Sequence, residues 1–525
     1  MKRAILIFTL TVIWFALFAP LGVDFHHDGV MLIPALRIAA GGAVFRDAFC
    51  QYGWLTPVLQ SFAALISGGE LLALKLLSVL FYGGTAVLLD LVWKERLSKN
   101  SRLSLLFCFW LLMPDMMVTF HPWSSIFALF FTLSGVLFFL KYLQHAKKTM
   151  LFCAGCAAGC AFLSRHPCGV VTAAALAAVI GFETLFVTEK DKWKTFFRKI
   201  SIFAGGFLSP VAVMALCLTV TGAWSDYFRQ CFGFISEFVW KRGTSGSWEH
   251  FSNSLFPFYS DGSYFLDMIF ALLPLCTLGW LFALFRNSSA KSAEDWKKSL
   301  PLLVLVLTAL GSWHQYYPVP CVRHLYWGGV PMLGFFILTL EKLVNSKRSL
   351  LTVAVIFVLS LSFVAAASSR LYGAYVRLST ARFRTISDIP GIRGMALTRM
   401  EKELINHFRS AFNSLPENLR KRGVVNYSED ALWSVIFPDS GFKHKQFLRT
   451  MQTLYPDYER EIFNFIAEKQ PVIFTDSDRF FPGYTDLVMP VEYQGKIYRL
   501  IARNDGSRVV AAALFGQPHF FVRPV

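Results

Sequence analysis

The residues best placed to do chemistry are Asp24-Phe25-His26-His27-Asp28-Gly29, which follow directly on a first apolar segment running from Ala4 to Val23. Carboxylates and imidazoles are costly to keep at the mouth of an apolar segment, so they read as functional groups. A carboxylate placed there can take a proton from a hydroxyl. Asp28 is the leading candidate for that base, Asp24 the second, and Asp47 of Phe45-Arg46-Asp47 the third. Two of them have a structural alternative. Asp28 precedes Gly29 and an apolar periodic run, a good position for capping a helix, and Asp47 can pair with Arg46 or Arg37.

A second cluster is Trp313-His314-Gln315-Tyr316-Tyr317-Pro318-Val319-Pro320-Cys321-Val322-Arg323-His324-Leu325-Tyr326-Trp327. The guanidinium fork of Arg323 suits a phosphate oxygen, and His324 can add a hydrogen bond. Arg165-His166-Pro167 lies in another tight turn and is a candidate for the same role, as is Arg46; His121-Pro122-Trp123 is a weaker one. The alternative for these residues is ordinary anchoring and orientation at a membrane interface.

The elements that must carry these groups are set by composition. The chain of 525 residues is 55% hydrophobic and 16% charged, where a soluble protein carries about a quarter charged residues. With 53 Phe and 14 Trp, this composition specifies a polytopic α-helical membrane protein. The net charge of +17 does not indicate a nucleic-acid partner, because most Lys and Arg sit in short loops between apolar runs. About eleven spans are expected, near 4–23, 70–93, 102–114, 122–143, 150–165, 168–187, 200–221, 265–285, 300–313, 325–342 and 349–368. The first is not expected to be a cleaved signal, since Phe18-Ala19-Pro20-Leu21 leads straight into the polar loop. Alternate loops hold 21 and 7 basic residues, which predicts a cytoplasmic N-terminus and an outward-facing loop over 24–69. Cys153, Cys156 and Cys160 read as small packing residues on one helix. From about 370 the long apolar runs stop, and 370–525 reads as an extracytoplasmic α/β domain. It has a helix at Met400–Ser414, helix over Lys443–Lys469 broken at Pro456, a buried strand at Pro471–Thr475, strands around a Gln494-Gly495 turn, and a last strand at Val509–Phe515.

His27-Asp28-Gly29 with Ala35-Leu36-Arg37-Ile38-Ala39-Ala40-Gly41-Gly42, then Phe45-Arg46-Asp47 with Tyr52-Gly53-Trp54-Leu55-Thr56-Pro57, resembles the first outward loop of the C superfamily of glycosyltransferases (GT-C). The likeness is to the branch of protein O-mannosyltransferases and lipid A aminoarabinose transferases. It covers residues 24–57 in detail and 1–369 in layout. The chain departs from the branch by reading His-Asp-Gly where many relatives read Asp-Glu. The resemblance implies a sugar donor on a polyprenyl phosphate, since nucleotide sugars are absent outside the membrane, and a glycan, glycolipid or protein hydroxyl as acceptor. Transfer then needs a base for that hydroxyl and cations for the leaving phosphate. Tyr52, and Trp240 in the aromatic loop 222–264, are candidate acceptor contacts; an interfacial amphipathic loop is the alternative. Some members of the superfamily use a divalent cation, but the branch resembled here generally does not, and a cation is only weakly signalled. The rival functions are a lipid-linked-oligosaccharide flippase and a non-catalytic envelope scaffold. No inverted repeat or paired broken helices support the first.

Overall fold

The computed structural model describes residues 1–188, 191–233, 266–286, 292–317, 321–346, 349–442, 451–452 and 454–503. Helices dominate up to Ser379. They are α1 (Lys2–Ala16), α2 (His27–Ala39), α3 (Leu55–Ser67), α4 (Leu71–Val92), α5 (Lys99–Leu111), α6 (Ser124–His145), α7 (Lys148–Ser164), α8 (His166–Phe186), α9 (Lys192–Thr221) and α10 (Trp224–Phe228). Then come α11 (Met268–Phe285), α12 (Ala293–Ser312), α13 (Val322–Gly329), α14 (Leu333–Val344) and α15 (Leu350–Ser379). Among the described residues, seven helical stretches are long and apolar enough to cross a membrane: 71–92, 124–145, 166–186, 192–221, 268–285, 322–344 and 350–383. Each of the remaining expected runs also falls on a helix, but a shorter or less apolar one.

Local chemistry sets the ends of these helices. Ser292 and Asp295 form a reciprocal capping box that starts α12, as Thr398 and Glu401 do for α16 (Arg399–Asn413). Helices α7 and α9 meet through glycines: a Cβ on Gly155 would lie 2.1 Å from the Phe203 carbonyl oxygen. Cys153, Cys156 and Cys160 lie on α7, each partly buried.

At one end of the bundle Asp90 binds both Arg3 and Arg102. The first loop and the α/β domain lie at the other end. The domain comprises α16, α17 (Glu417–Arg420), α18 (Trp433–Ile436) and α19 (Tyr458–Lys469), the last just after Pro456. Its strands are β1 (Thr385–Ile386), β2 (Ala396–Leu397), β3 (Val424–Tyr427), β4 (Val472–Thr475), β5 (Tyr484–Asp486), β6 (Val491–Tyr493) and β7 (Lys496–Arg503). Strands β3 and β4 are parallel, β4 and β7 antiparallel, and β5 and β6 both pair with β7. The β6–β7 turn has Gln494 and Gly495 at φ 52° and 75°, the left-handed pair a tight hairpin requires. The expected strand at 509–515 lies outside the described residues.

The domain shares a core with the first loop. Phe25, Leu32, Ala35, Leu71 and Leu74 pack in one buried cluster with Phe408, Trp433, Phe474 and Leu500. Backbone hydrogen bonds stitch the same seam: Gly22 to Ala396 at 2.9 Å, Leu71 to Gly391 at 2.8 Å and Leu432 to Phe25 at 2.8 Å.

Candidate active site

The first loop folds back on itself around Asp24. One carboxylate oxygen, Oδ1, accepts the backbone N–H groups of His26 at 3.0 Å and His27 at 2.7 Å, so Asp24 caps the start of α2. The other, Oδ2, lies 3.2 Å from His27 Nδ1 and 3.3 Å from His121 Nε2. A carboxylate offers about four acceptor positions, and all are taken. Burial alone would raise the pKa of Asp24, but hydrogen bonds from His121 and His27 outweigh it and hold the group well below the usual carboxylate range. Burial, reinforced by the nearby Arg323, pushes His121 down to about 3, so its ring is neutral. The side chain left open is that of His27, 41% exposed against 29% for Asp24. His27 stacks on His121 with centroids 4.9 Å apart and meets Trp123 edge-on at 5.3 Å.

Asp28, expected as the leading base, points away from this opening. It forms an ion pair with Lys75 Nζ at 2.8 Å, and neither side chain is exposed. Burial raises its pKa against the pull of Lys75. Fully buried, its carboxylate is not open to solvent as the side chains of Asp24 and His27 are. It does not cap α2 either; its Oδ2 accepts the N–H of Asp24 at 3.0 Å.

Two arginines from late helices hold the second loop against the first. Arg377 donates to the carbonyl oxygens of Asp115 and Leu21 at 2.5 and 2.6 Å, and also to that of Val118. Arg323 donates to the Thr119 carbonyl at 2.6 Å, lies 3.4 Å from His121 Nε2, and faces Asp115 at 3.6 Å. Leu21 is three residues from Asp24 and Val118 three from His121, so these contacts set the Asp24–His121 distance.

A wall of aromatics continues from Trp123 to Tyr52, 5.0 Å away, and the Arg165 guanidinium sits over the Tyr52 ring at 5.6 Å while binding Ser125. Gly53 allows this approach, because a Cβ there would lie 1.9 Å from the Leu163 carbonyl oxygen. Tyr52, Gly53 and Gln60 line a cleft with Met31, Phe49 and Pro57. The Gln60 Oε1 and Trp123 Nε1 atoms are buried without a hydrogen-bond partner among the described residues.

The other expected residues are placed elsewhere. Asp47 and Arg46 bind each other bidentately, at 3.1 and 2.8 Å; Asp47 also accepts from Ala43, and Arg46 donates to Thr221. His166 Nε2 lies 3.0 Å from the Tyr227 hydroxyl. The His324 ring lies 5.7 Å from that of Trp327. Trp240 lies outside the described residues.

A divalent cation has one candidate donor set among the described residues: Asp24, His27 and His121, with ligand atoms within 4.8 Å of one another. Two imidazoles and a carboxylate suit a transition metal by type. The Arg323 guanidinium, 3.4 Å from His121 Nε2, puts a fixed positive charge beside the ion, and that nitrogen carries the hydrogen it donates to Asp24 rather than a free lone pair. The residues therefore do not fit a resident cation, and the chemistry below uses none.

Three residues that define this site carry only faint signals in the sequence. Lys75 and Arg377 are single charges in or beside apolar runs, a signal in its own right. His27 is one of four polar groups in a short motif, and its neighbours do not mark it as the one the motif presents.

No protein-family model matches the chain, and no curated protein does. Among solved structures, ArnT from Cupriavidus metallidurans bound to undecaprenyl phosphate matches with a TM-score of 0.51 at 12% identity, over 94% of this chain and 97% of that one. ArnT in the apo state gives 0.49 at 13% identity, over 95% and 98%. The Archaeoglobus fulgidus oligosaccharyltransferase complex with Zn and sulfate gives 0.47 at 13% identity, over 90% of this chain and 68% of that one. From its first helices through its α/β domain, the chain shares the fold of ArnT.

Proposed function

We propose that this protein is a membrane glycosyltransferase that moves a sugar from a polyprenyl-phosphate donor to a glycan, glycolipid or protein hydroxyl on the outer face of the cytoplasmic membrane. The observation that carries the proposal is the Asp24–His27 pair at a half-open mouth, with Arg323 one residue behind it through His121. His27 donates Nδ1–H to Asp24, which leaves the Nε2 lone pair to accept a proton. As the acceptor oxygen bonds to the anomeric carbon, its proton passes to Nε2 and the bond to the lipid phosphate breaks. Asp24, ionised throughout, stabilises the imidazolium. The positive charge developing on the sugar ring also gains from this fixed carboxylate. The lipid phosphate leaves as an anion, and Arg323, with Arg165 beyond Tyr52, is the group proposed to stabilise it. ArnT has been crystallised with undecaprenyl phosphate, which supports a donor of this class. In membranes charged with a polyprenyl-phosphate-linked sugar, the wild-type chain should release polyprenyl phosphate in step with sugar transfer. Binding of the lipid phosphate with no transfer to any membrane acceptor would contradict the enzyme reading.

A further inference from the structure

The mechanism above makes no use of the α/β domain, yet the segment Glu429–Trp433 of that domain lies directly on the first loop. The Glu429 carbonyl oxygen is 2.7 Å from His26 Nδ1. A carbonyl can only accept, so Nδ1 carries the hydrogen. Leu432 donates its N–H to the Phe25 carbonyl at 2.8 Å. The rings of Phe25 and Trp433 stack 4.9 Å apart at 8°. At Gly29 a Cβ would lie 2.2 Å from the Leu432 nitrogen, so this contact admits no larger residue. His26 in turn meets His27 edge to face, centroids 4.7 Å apart at 85°.

The segment is held rigidly from behind. The Asp430 carboxylate is 3% exposed and 4.0 Å from His26 Nδ1. It binds Lys496 Nζ at 2.7 Å and the Tyr498 hydroxyl, both on β7. Its carbonyl accepts from Asn426 Nδ2 at 3.0 Å, and its own N–H binds Ser428 Oγ at 3.2 Å. The N–H of Glu429 donates to Asp476 at 3.3 Å. A buried charge with two side-chain partners on a central strand is a far stiffer support than a surface loop.

We propose that Asp430 is a positioning residue for the site in the other domain: by fixing the Glu429 carbonyl it holds His26 as the Nδ1–H tautomer, and that ring sets the angle at which His27 meets Asp24. The proposal deepens the reading of His27 and rests on it. It gives the α/β domain a part in the chemistry beyond capping the membrane bundle.

The test is made on the full chain in lipid nanodiscs, with ¹⁵N-labelled histidine. The His26 resonances are assigned by their loss in His26→Gln, and the ¹⁵N shifts distinguish the two neutral tautomers. The wild type should show His26 as Nδ1–H. Asp430→Ala should mix the tautomers and lower sugar transfer by up to about 10²-fold, the scale of a roughly 1 Å misplacement, with undecaprenyl phosphate binding unchanged. Asp430→Asn keeps an oxygen to accept from Lys496 and turns its NH2 to the Tyr498 hydroxyl, which can accept, so it should retain both the tautomer and most of the transfer. If Asp430→Ala fails to fold, Lys496→Met, which removes the half-exposed partner, decides the matter in its place. A His26 that stays wholly Nδ1–H in Asp430→Ala and in Lys496→Met overturns the proposal. The tautomer result stands whether or not transfer depends on His27, so failure of that reading is seen separately.

Discussion

Asp28 and Lys75 form an ion pair at 2.8 Å in which neither side chain reaches solvent, and this pair joins the first loop to a membrane helix. Two charges are kept from water only while each has the other. Removing one from a buried pair costs about 3–5 kcal/mol, because the survivor is left uncompensated. Lys75→Met should therefore lower stability by that order. The double variant Lys75→Met with Asp28→Asn should recover much of the loss. Thermal unfolding in detergent measures both. A Lys75→Met chain as stable as the wild type would show that the pair is not what anchors the loop.

Arg323 carries the donor-phosphate assignment. A hydrogen bond to a charged group is worth about 1.5–3 kcal/mol, so Arg323→Ala should weaken undecaprenyl phosphate binding by roughly 10- to 100-fold. Arg323→Lys should restore only part, since Lys lacks the planar fork that also reaches the Thr119 carbonyl. Unaltered binding in both variants would assign Arg323 to holding the second loop alone.

Burial lowers the pKa of His314 to about 4, while its hydrogen bond to the Gly311 carbonyl pulls the other way. In the unfolded chain a histidine titrates near pH 6.5. Between those values the unfolded state binds the extra proton, so stability is full above about pH 6.5 and declines as the pH falls toward 4. His314→Gln removes this contribution. Its melting temperature should vary less with pH over that window than that of the wild type. Parallel curves would mean that folding does not shift the titration of His314.

Much of the architecture could be read from apolar runs, because membrane spans and buried strands advertise themselves by composition. Pro471–Thr475, read as a buried strand, is β4 (Val472–Thr475), and Gln494-Gly495 is the β6–β7 turn. The site was legible only in part. Asp24 and Asp28 lie on the same short stretch, and nothing local says which of them faces water. That is decided by Lys75 and by Leu432, a residue of the α/β domain packed on Gly29. His121 joins the site only because Arg377 and Arg323 grip backbone carbonyls, and a carbonyl acceptor leaves no trace in side-chain identity.

The α/β domain and the Asp24 mouth lie at the same end of the bundle, joined by hydrogen bonds such as Leu432 to Phe25. The asymmetry of basic loops predicts that this end faces outward. Alkaline phosphatase fused after Val525 should be active, and a fluorescent protein that matures only in the cytoplasm should be dark. The reverse pattern would put the mouth inside and remove the reason for a lipid-linked donor.

The central claim is that His27, oriented by Asp24, accepts the proton of the acceptor hydroxyl, and that Asp28 does not. The most direct measurement is sugar transfer per folded molecule for His27→Asn, Asp24→Asn and Asp28→Asn, each with its folded fraction determined. A positioned base contributes about 10²–10⁴-fold, so His27→Asn and Asp24→Asn should each fall within that range of loss. Asp28→Asn should lose stability but transfer at close to the wild-type rate once corrected for folding. A folded Asp28→Asn without activity, beside a His27→Asn that transfers normally, would contradict the account.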